Sequence, residues 1–366
     1  MKILVVAANF PSKVRPHNGI FVKNLVTEFV RLGHEVIVIS PQKVMGESMP
    51  RKMRENGYKV YRPKFMSFGN KKFLGVKTRW FSHLSFKLAV YLFSLRRKLC
   101  FDAIYSHFLF PSGATAVMLS QRSGKPAFCA LGESTFEAYE DIYGRKHIRK
   151  MLDGFSQVFP NSRDKTEFLA RTYGENLRLR YVPNGVDTEV FFPASKAEAR
   201  KRLGLSPEAQ IVLFVGGFID RKGPLRVLAA CERLQKIPNM VFIGEGPQRP
   251  EHPRIEFCGK AKHDDLRLYL NAADVFVTPS RKEGMPNAVL EAMACSCRIV
   301  ASDIPVHREL LEDYSQAVLC DAEDPGSLSS AIKQMLGFSE LPKPSEFQYS
   351  LEARAKTILT YIKTTH

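Results

Sequence analysis

Short apolar runs alternate with longer stretches of helical periodicity along almost the whole chain. ILVVAA (3–8) leads into a helical stretch from Gly19 to Leu32, then EVIVIS (35–40). AIYS (103–106) precedes a helix from Pro111, followed by PAFCA, a helix and QVFP (157–160). After LRLRYVPNGVD the pattern restarts with IVLFVGG (211–217), a helix from Pro224, MVFIGEG (240–246), IEFCG (255–259), VFVTPS (275–280), a helix from Pro286 and RIVAS. Strands that are apolar throughout, rather than on alternate residues, indicate parallel sheets covered on both faces. The pattern predicts an α/β protein of two Rossmann-like, doubly wound domains facing across a cleft. The first covers 1–180 and the second 181–347. Ligands of open parallel sheets bind beyond the carboxyl ends of the strands, so functional residues are expected just after strands.

The bulk composition changes this picture little. The chain has 366 residues, 45% hydrophobic and 25% charged, which is globular composition and more than one core usually serves. Its seven cysteines have no repeated spacing, and the lone C-x-C of Cys295 and Cys297 lacks a second pair. They read as core thiols of a reducing compartment rather than a disulfide framework or zinc site. No run approaches the ~20 apolar residues of a membrane span, and MKILVVAANFPS reads as a first buried strand rather than a signal peptide. A cytoplasmic protein is expected.

Charge adds more. The formal net charge is +17, and residues 51–100 hold fourteen Lys or Arg against one acid, Glu55, interleaved with aromatic residues. Such a surface can meet anionic lipid headgroups or nucleic acid, or be a merely solvated face; so lopsided a block favours an anionic membrane or lipid-linked substrate, without nucleic acid.

Candidate chemistry sits where strands end. VGGFIDRKGP places Gly216 and Gly217 at a turn, with Arg221 and Lys222 beside a helix N-terminus, an arrangement suited to a diphosphate; exposed Arg-Lys pairs are also often only solvated. GEGP, with Glu245, offers backbone donors or is an ordinary glycine turn. No G-x-x-x-x-G-K-[ST] and no G-x-G-x-x-G after the first strand is present, which argues against a P-loop and a nicotinamide-dependent dehydrogenase. In RKEGMPNAVLEAMACS, Glu283 lies on a loop and Glu291 inside a helix whose first turn begins at Pro286. An acid/base pair at glycosidase spacing remains open. Two carboxylates holding hydroxyls of one elongated ligand suit the separation better, with the amides of Gly284, Met285 and Asn287 between them. Gly19, at the first helix, permits close approach of backbone to an anion. His107 ends a strand in YSHFLFPSG, a position that favours a functional over a structural role.

These segments, in this order, resemble the retaining nucleotide-sugar glycosyltransferases of family 4, which have the GT-B fold. The resemblance runs through NGIFVKNLVTEFVRLGHEVIVISP, FDAIYSHFLFPSG, VPNGVDTEVFFP, VGGFIDRKG, GEGP and EGMPNAVLEAMACSCRIVAS. It implies that Glu291 binds the donor ribose and Glu283 the transferred sugar, helped by amides from Gly284 to Asn287. It further implies that Lys222 neutralises the diphosphate, assisted by the Gly19 backbone, and that His107 contacts the donor sugar near the reacting centre. Retention without an established enzyme nucleophile, and no metal or other cofactor, are implied as well, as is a last helix in 348–366 that packs back on the first domain. The acceptor would be a polysaccharide or lipid-linked glycan, met by a peripheral protein on the inner face of the cell membrane. Two departures stand out. Many members carry Arg where Gly217 stands, leaving Arg221 as a substitute second cation. LGES (131–134) stands where many have His-Gly-x-Asp, with Glu133 a candidate replacement. The alternatives are a sugar-nucleotide epimerase of similar fold and a non-catalytic basic nucleic-acid or membrane-binding protein.

Overall fold

A computed structural model describes residues 1–12, 14–15, 18–45, 50–55, 57–69, 72–73, 76–133, 136–338 and 347–365. Lys71 of the basic block and Ser134 of LGES lie outside the described residues. The chain forms two compact units, Met1–Pro183 with Leu351–His366, and Asn184–Ser350.

The first unit is built on strands β1 (Lys2–Val6), β2 (Glu35–Ile39), β3 (Lys52–Glu55), β4 (Tyr58–Tyr61), β5 (Ala103–His107), β6 (Ala127–Leu131) and β7 (Gln157–Pro160). They lie in the order β7-β6-β5-β1-β2-β4-β3, all pairs parallel except the β3–β4 edge. Both faces are covered, so successive residues of β1 enter different cores. Ile3 and Val5 pack with Val26 and Phe29 of helix α1 (Ile20–Arg31) and with Ile358 and Leu359 of the C-terminal helix Leu351–Thr364. Leu4 and Val6 pack with Phe86 and Val90 of helix α2 (Arg79–Arg96). Each such buried side chain contributes about 1.5–3 kcal/mol, which is why the unbroken ILVV run specifies a central strand.

The strand order reverses beside β1: the chain leaves it for β2 on one side and returns at β5 on the other. The loops after β1 and β5, which carry Gly19 and His107, therefore open at this switch point. The helix expected from Pro111 starts later. Leu109–Gly113 forms a wide turn in which Phe110 is extended (φ −127°, ψ 138°), and regular helix α3 runs only from Ala114 to Ser123. An extended residue interrupts the helical ladder, and Pro111 supplies no N–H to restore it.

The second unit has six parallel strands: β8 (Ile211–Val215), β9 (Asn239–Ile243), β10 (Ile255–Gly259), β11 (Val275–Thr278), β12 (Ile299–Ser302) and β13 (Ala317–Cys320). Their order is β10-β9-β8-β11-β12-β13, so its switch point falls between β8 and β11. Helices α4 (Pro224–Glu232), α5 (Asn287–Ala294) and α6 (Pro305–Leu311) follow β8, β11 and β12. The cysteines are free thiols; five are buried, Cys258 is partly exposed and Cys100 is exposed, so the core-thiol reading fails at Cys100.

Candidate active site

In the second unit the loops after β8 and β11 meet at the switch point. Lys222 Nζ donates to Glu283 Oε1, and Arg221 Nη1 lies 3.5 Å from Glu283 Oε2 while donating to the Lys282 carbonyl at 2.5 Å. The Glu283 side chain is only 7% exposed. Burial alone would push its carboxyl upward, but the Lys222 charge and hydrogen bond, the Ser280 hydroxyl and the Arg221 charge outweigh it and hold the group below the usual carboxylate range. Glu283 is thus ionised at neutral pH.

Glu291, on α5, is in the opposite condition. Among the described residues nothing donates to its carboxyl, and burial pushes its pKa up to about 7. Burial alone acts on Glu291, whereas at Glu283 burial is opposed by Lys222, Ser280 and Arg221, so the two carboxyls are shifted in opposite directions by separate surroundings. Between them the N–H groups of Gly284, Met285, Asn287 and Ala288 have no acceptor among the described residues. Met285 is buried, and Pro286 is the extended cap of the helix, so the first-turn amides have no acceptor within it. Asn184 Nδ2 donates to Asn287 Oδ1 at 2.9 Å, pinning the turn from the PNGVD segment.

The elevated Glu291 pKa makes ligand binding pH-dependent. Hydroxyl donors stabilise the carboxylate, whereas the empty site disfavours it from pH 4.5 up to about 7. For a nucleotide sugar held by the ionised form, affinity should fall by up to about tenfold for each unit below pH 7. Isothermal titration across that range checks this, and Glu291→Gln should bind weakly with a flat profile.

Some site residues were not anticipated. His307, on α6, is fully buried; its Nδ1 lies 2.9 Å from the Ser302 carbonyl and its Nε2 has no partner. Burial lowers its pKa against the opposing effects of Ser302 and the nearby Glu283 carboxylate, and Lys222 adds to the lowering, so His307 belongs to the same cluster. Arg281 donates to both carboxylate oxygens of Glu323 at 2.8 Å and to Asp220, while Arg226 donates to the Pro279 carbonyl at 2.7 Å. These contacts tie the loops after β8, β11 and β13 together and hold the Glu283 loop in place.

The glycines divide differently from expectation. Gly244 is demanded by its neighbour, since a Cβ there would sit 1.8 Å from the Gly216 carbonyl oxygen. Gly217 is not demanded in this way: a Cβ there would meet Ile219 and the Glu245 carbonyl only at 3.9 and 4.0 Å, which is ordinary van der Waals contact. Glu245 is exposed; its carboxylate pairs with Lys260 at 2.7 Å and its carbonyl accepts from Phe218 N–H at 2.7 Å.

In the first unit, Gly19 has φ 76°, and a Cβ would lie 2.5 Å from the Asn9 carbonyl oxygen. The close approach that its missing side chain serves is to its own chain, whereas an anion was expected. His107 is 6% exposed, packs against Phe21 and Phe108 with ring centroids 4.9 and 5.0 Å away, and has no partner at Nδ1. Burial, with the Arg354 and Lys165 charges, lowers its pKa to about 3, so it is neutral at any physiological pH. Phe108 directly after it has φ 67°, a strained conformation for a bulky residue. Glu133 is buried; one oxygen accepts from Leu109 N–H at the turn that follows His107, and the other has no partner. Burial raises its pKa, partly offset by backbone donors and by Lys165.

Comparison with known proteins bears on the family and the fold. A Glycosyltransferase Family 4 domain matches residues 19–190, and a Glycosyl transferases group 1 domain matches residues 209–337. A Bacillus subtilis protein named as a teichuronic acid biosynthesis glycosyltransferase, TuaC, is 29% identical over 327 residues, covering 83% of this chain and 81% of the relative. Among solved structures, sucrose-phosphate synthase from Thermosynechococcus elongatus superposes with a TM-score of 0.74 at 19% identity, covering 100% of this chain and 94% of that one. HepE of Anabaena in complex with UDP and glucose superposes with a TM-score of 0.68 at 15% identity, covering 100% and 98%. The protein is a glycosyltransferase of the GT-B fold. It carries a Family 4 domain followed by a group 1 domain, and the epimerase alternative is not favoured.

Proposed function

We propose that the protein is a retaining hexosyltransferase that moves a sugar from a nucleoside-diphosphate sugar to a polysaccharide or lipid-linked glycan at the cytoplasmic membrane face. The observation that carries this reading is the pairing of an ionised, cation-held Glu283 with an unpartnered Glu291 across a turn of free amides. Glu291 accepts from the ribose hydroxyls, Glu283 holds hydroxyls of the transferred sugar, and Gly284, Met285 and Asn287 donate to it from the backbone. Lys222 and Arg221 face the diphosphate.

Transfer breaks the bond between the anomeric carbon and the diphosphate oxygen, so negative charge grows on the leaving group. Cations and amides already directed at that oxygen are the effective catalysts of such a step. With Lys222 and Arg221 in that position the reaction needs no metal. Glu283, engaged by two cations, is a poor nucleophile, which favours retention by acceptor attack on the face the leaving group vacates. His107, neutral, donates or accepts a hydrogen bond at the donor sugar rather than delivering a charge. The bound UDP and glucose of HepE and the teichuronic acid biosynthesis in the name of TuaC support donor and acceptor classes of this kind.

A thermal-shift screen against nucleoside diphosphates and their sugars tests the reading. Stabilisation grows with ligand concentration over the dissociation constant, so one nucleotide family should stand out in the parent and fade in Glu291→Ala. No stabilisation by any nucleotide sugar would contradict it.

A further inference from the structure

Helix α2 has two apolar faces. Ser82, Phe86, Val90 and Ser94 point into the first unit and are buried. On the opposite side Phe81, Leu84, Leu88, Leu92 and Leu95 are 41, 37, 46, 47 and 55% exposed. Their spacing of three and four residues keeps them on one line about 21 Å long. Such a ridge of large apolar side chains is unusual on a soluble surface and marks a place where something docks. Next to it, Met66 and Phe68 are 55 and 46% exposed; their N–H groups donate to Ser85 and Ser82 of α2, and the Phe68 ring lies 6.3 Å from that of Phe81 on the ridge.

The ridge is bordered by cations without counter-charges. Arg51, Lys52, Lys64, Arg96 and Arg97 line one surface cavity of about 440 Å³ that ends on Leu92. All five are exposed, and none has an acidic partner among the described residues. Basic side chains around an apolar line match a bilayer's anionic headgroups and acyl boundary, with the helix lying in the interface plane. No helix among the described residues is long and apolar enough to cross a membrane, so α2 is suited to lie on it.

We infer that the solvent face of α2 is an interfacial anchor that seats the first unit on a bilayer of anionic phospholipid, the cavity taking a lipid phosphate while the leucine ridge enters the acyl boundary. This deepens the acceptor side of the proposed function and rests on it for its purpose: an acceptor with a lipid tail would be presented at that plane.

The chain's single tryptophan, Trp80, is 40% exposed at the start of the ridge and reports on insertion. Adding vesicles of equal phosphatidylcholine and phosphatidylglycerol to the full chain should shift Trp80 emission to the blue and bring the protein down on sedimentation; phosphatidylcholine alone should do neither. Arg96→Gln with Arg97→Gln should weaken binding about 30-fold. Leu88→Ser with Leu92→Ser should abolish the emission shift, and both variants should melt like the parent because the altered side chains are exposed. An unshifted Trp80, equal binding to neutral vesicles, unaltered binding by both variants, or tighter binding to a single-stranded RNA than to vesicles would overturn the inference. Vesicle binding is read without substrate, so loss of transfer with an intact Trp80 shift would strike the proposed function instead.

Discussion

Replacing Lys222 with methionine is expected to lower turnover about a thousandfold, the scale found when a preorganised donor to a developing anion is removed. Two consequences of the geometry add to the loss. On the proposed reading the leaving diphosphate loses a cation, and Glu283 loses the hydrogen-bonded Lys222 that opposes the effect of burial. With Lys222 gone, burial prevails and the Glu283 carboxyl moves up, so residual activity should rise with pH across a range where the parent is flat. A double-mutant cycle with Glu283→Gln separates the two: the paired change should cost much less than the sum, because each single change already breaks the same ion pair. Steady-state kinetics at several pH values, with circular dichroism to confirm folding, make the measurement. Additive losses would mean that Lys222 and Glu283 act on separate steps.

If His107 acts at the transferred sugar as proposed, His107→Ala should reduce turnover about a hundredfold while leaving the affinity for the nucleoside diphosphate within about twofold. Its pKa of about 3 carries a further expectation. The imidazole stays neutral throughout the working range, so no limb of the pH profile between 5 and 9 should vanish in this variant. Loss of an alkaline limb on replacing His107 would show that it works as imidazolium. His107→Gln, which keeps a hydrogen-bonding side chain, should recover part of the rate, whereas a purely structural role would leave both variants equally poor.

Much of this was legible in the sequence because it is local. Buried parallel strands betray themselves as unbroken apolar runs, and a Gly-Met-Pro-Asn turn between a strand and a helix can be placed without knowing the fold. Glu283 and Glu291 flank that turn, so both were within reach of pattern alone. What escaped depends on contacts distant in sequence. Asn184 reaches Asn287 across 103 residues, Arg281 reaches Glu323 across 42, and His307 joins the Lys222–Glu283 pair only because β12 lies beside β11. Composition likewise marked 51–100 as basic and aromatic, but only the packing of Phe86 and Val90 determines that the Leu84–Leu88–Leu92 side of α2 is left to solvent. Gly19 shows the limit from the other direction. Its glycine was readable as a requirement, whereas the reason, the Asn9 carbonyl 2.5 Å from where a Cβ would be, was not.

The most direct test is to supply the donor selected by the thermal-shift screen together with a lipid-linked or polysaccharide acceptor, and to read the anomeric configuration of the product by NMR. The predicted result is acceptor-dependent release of nucleoside diphosphate, with the configuration of the donor sugar preserved in the new linkage and both signals lost in Lys222→Met. An inverted linkage, or nucleoside diphosphate released with no sugar joined to the acceptor, would contradict the account.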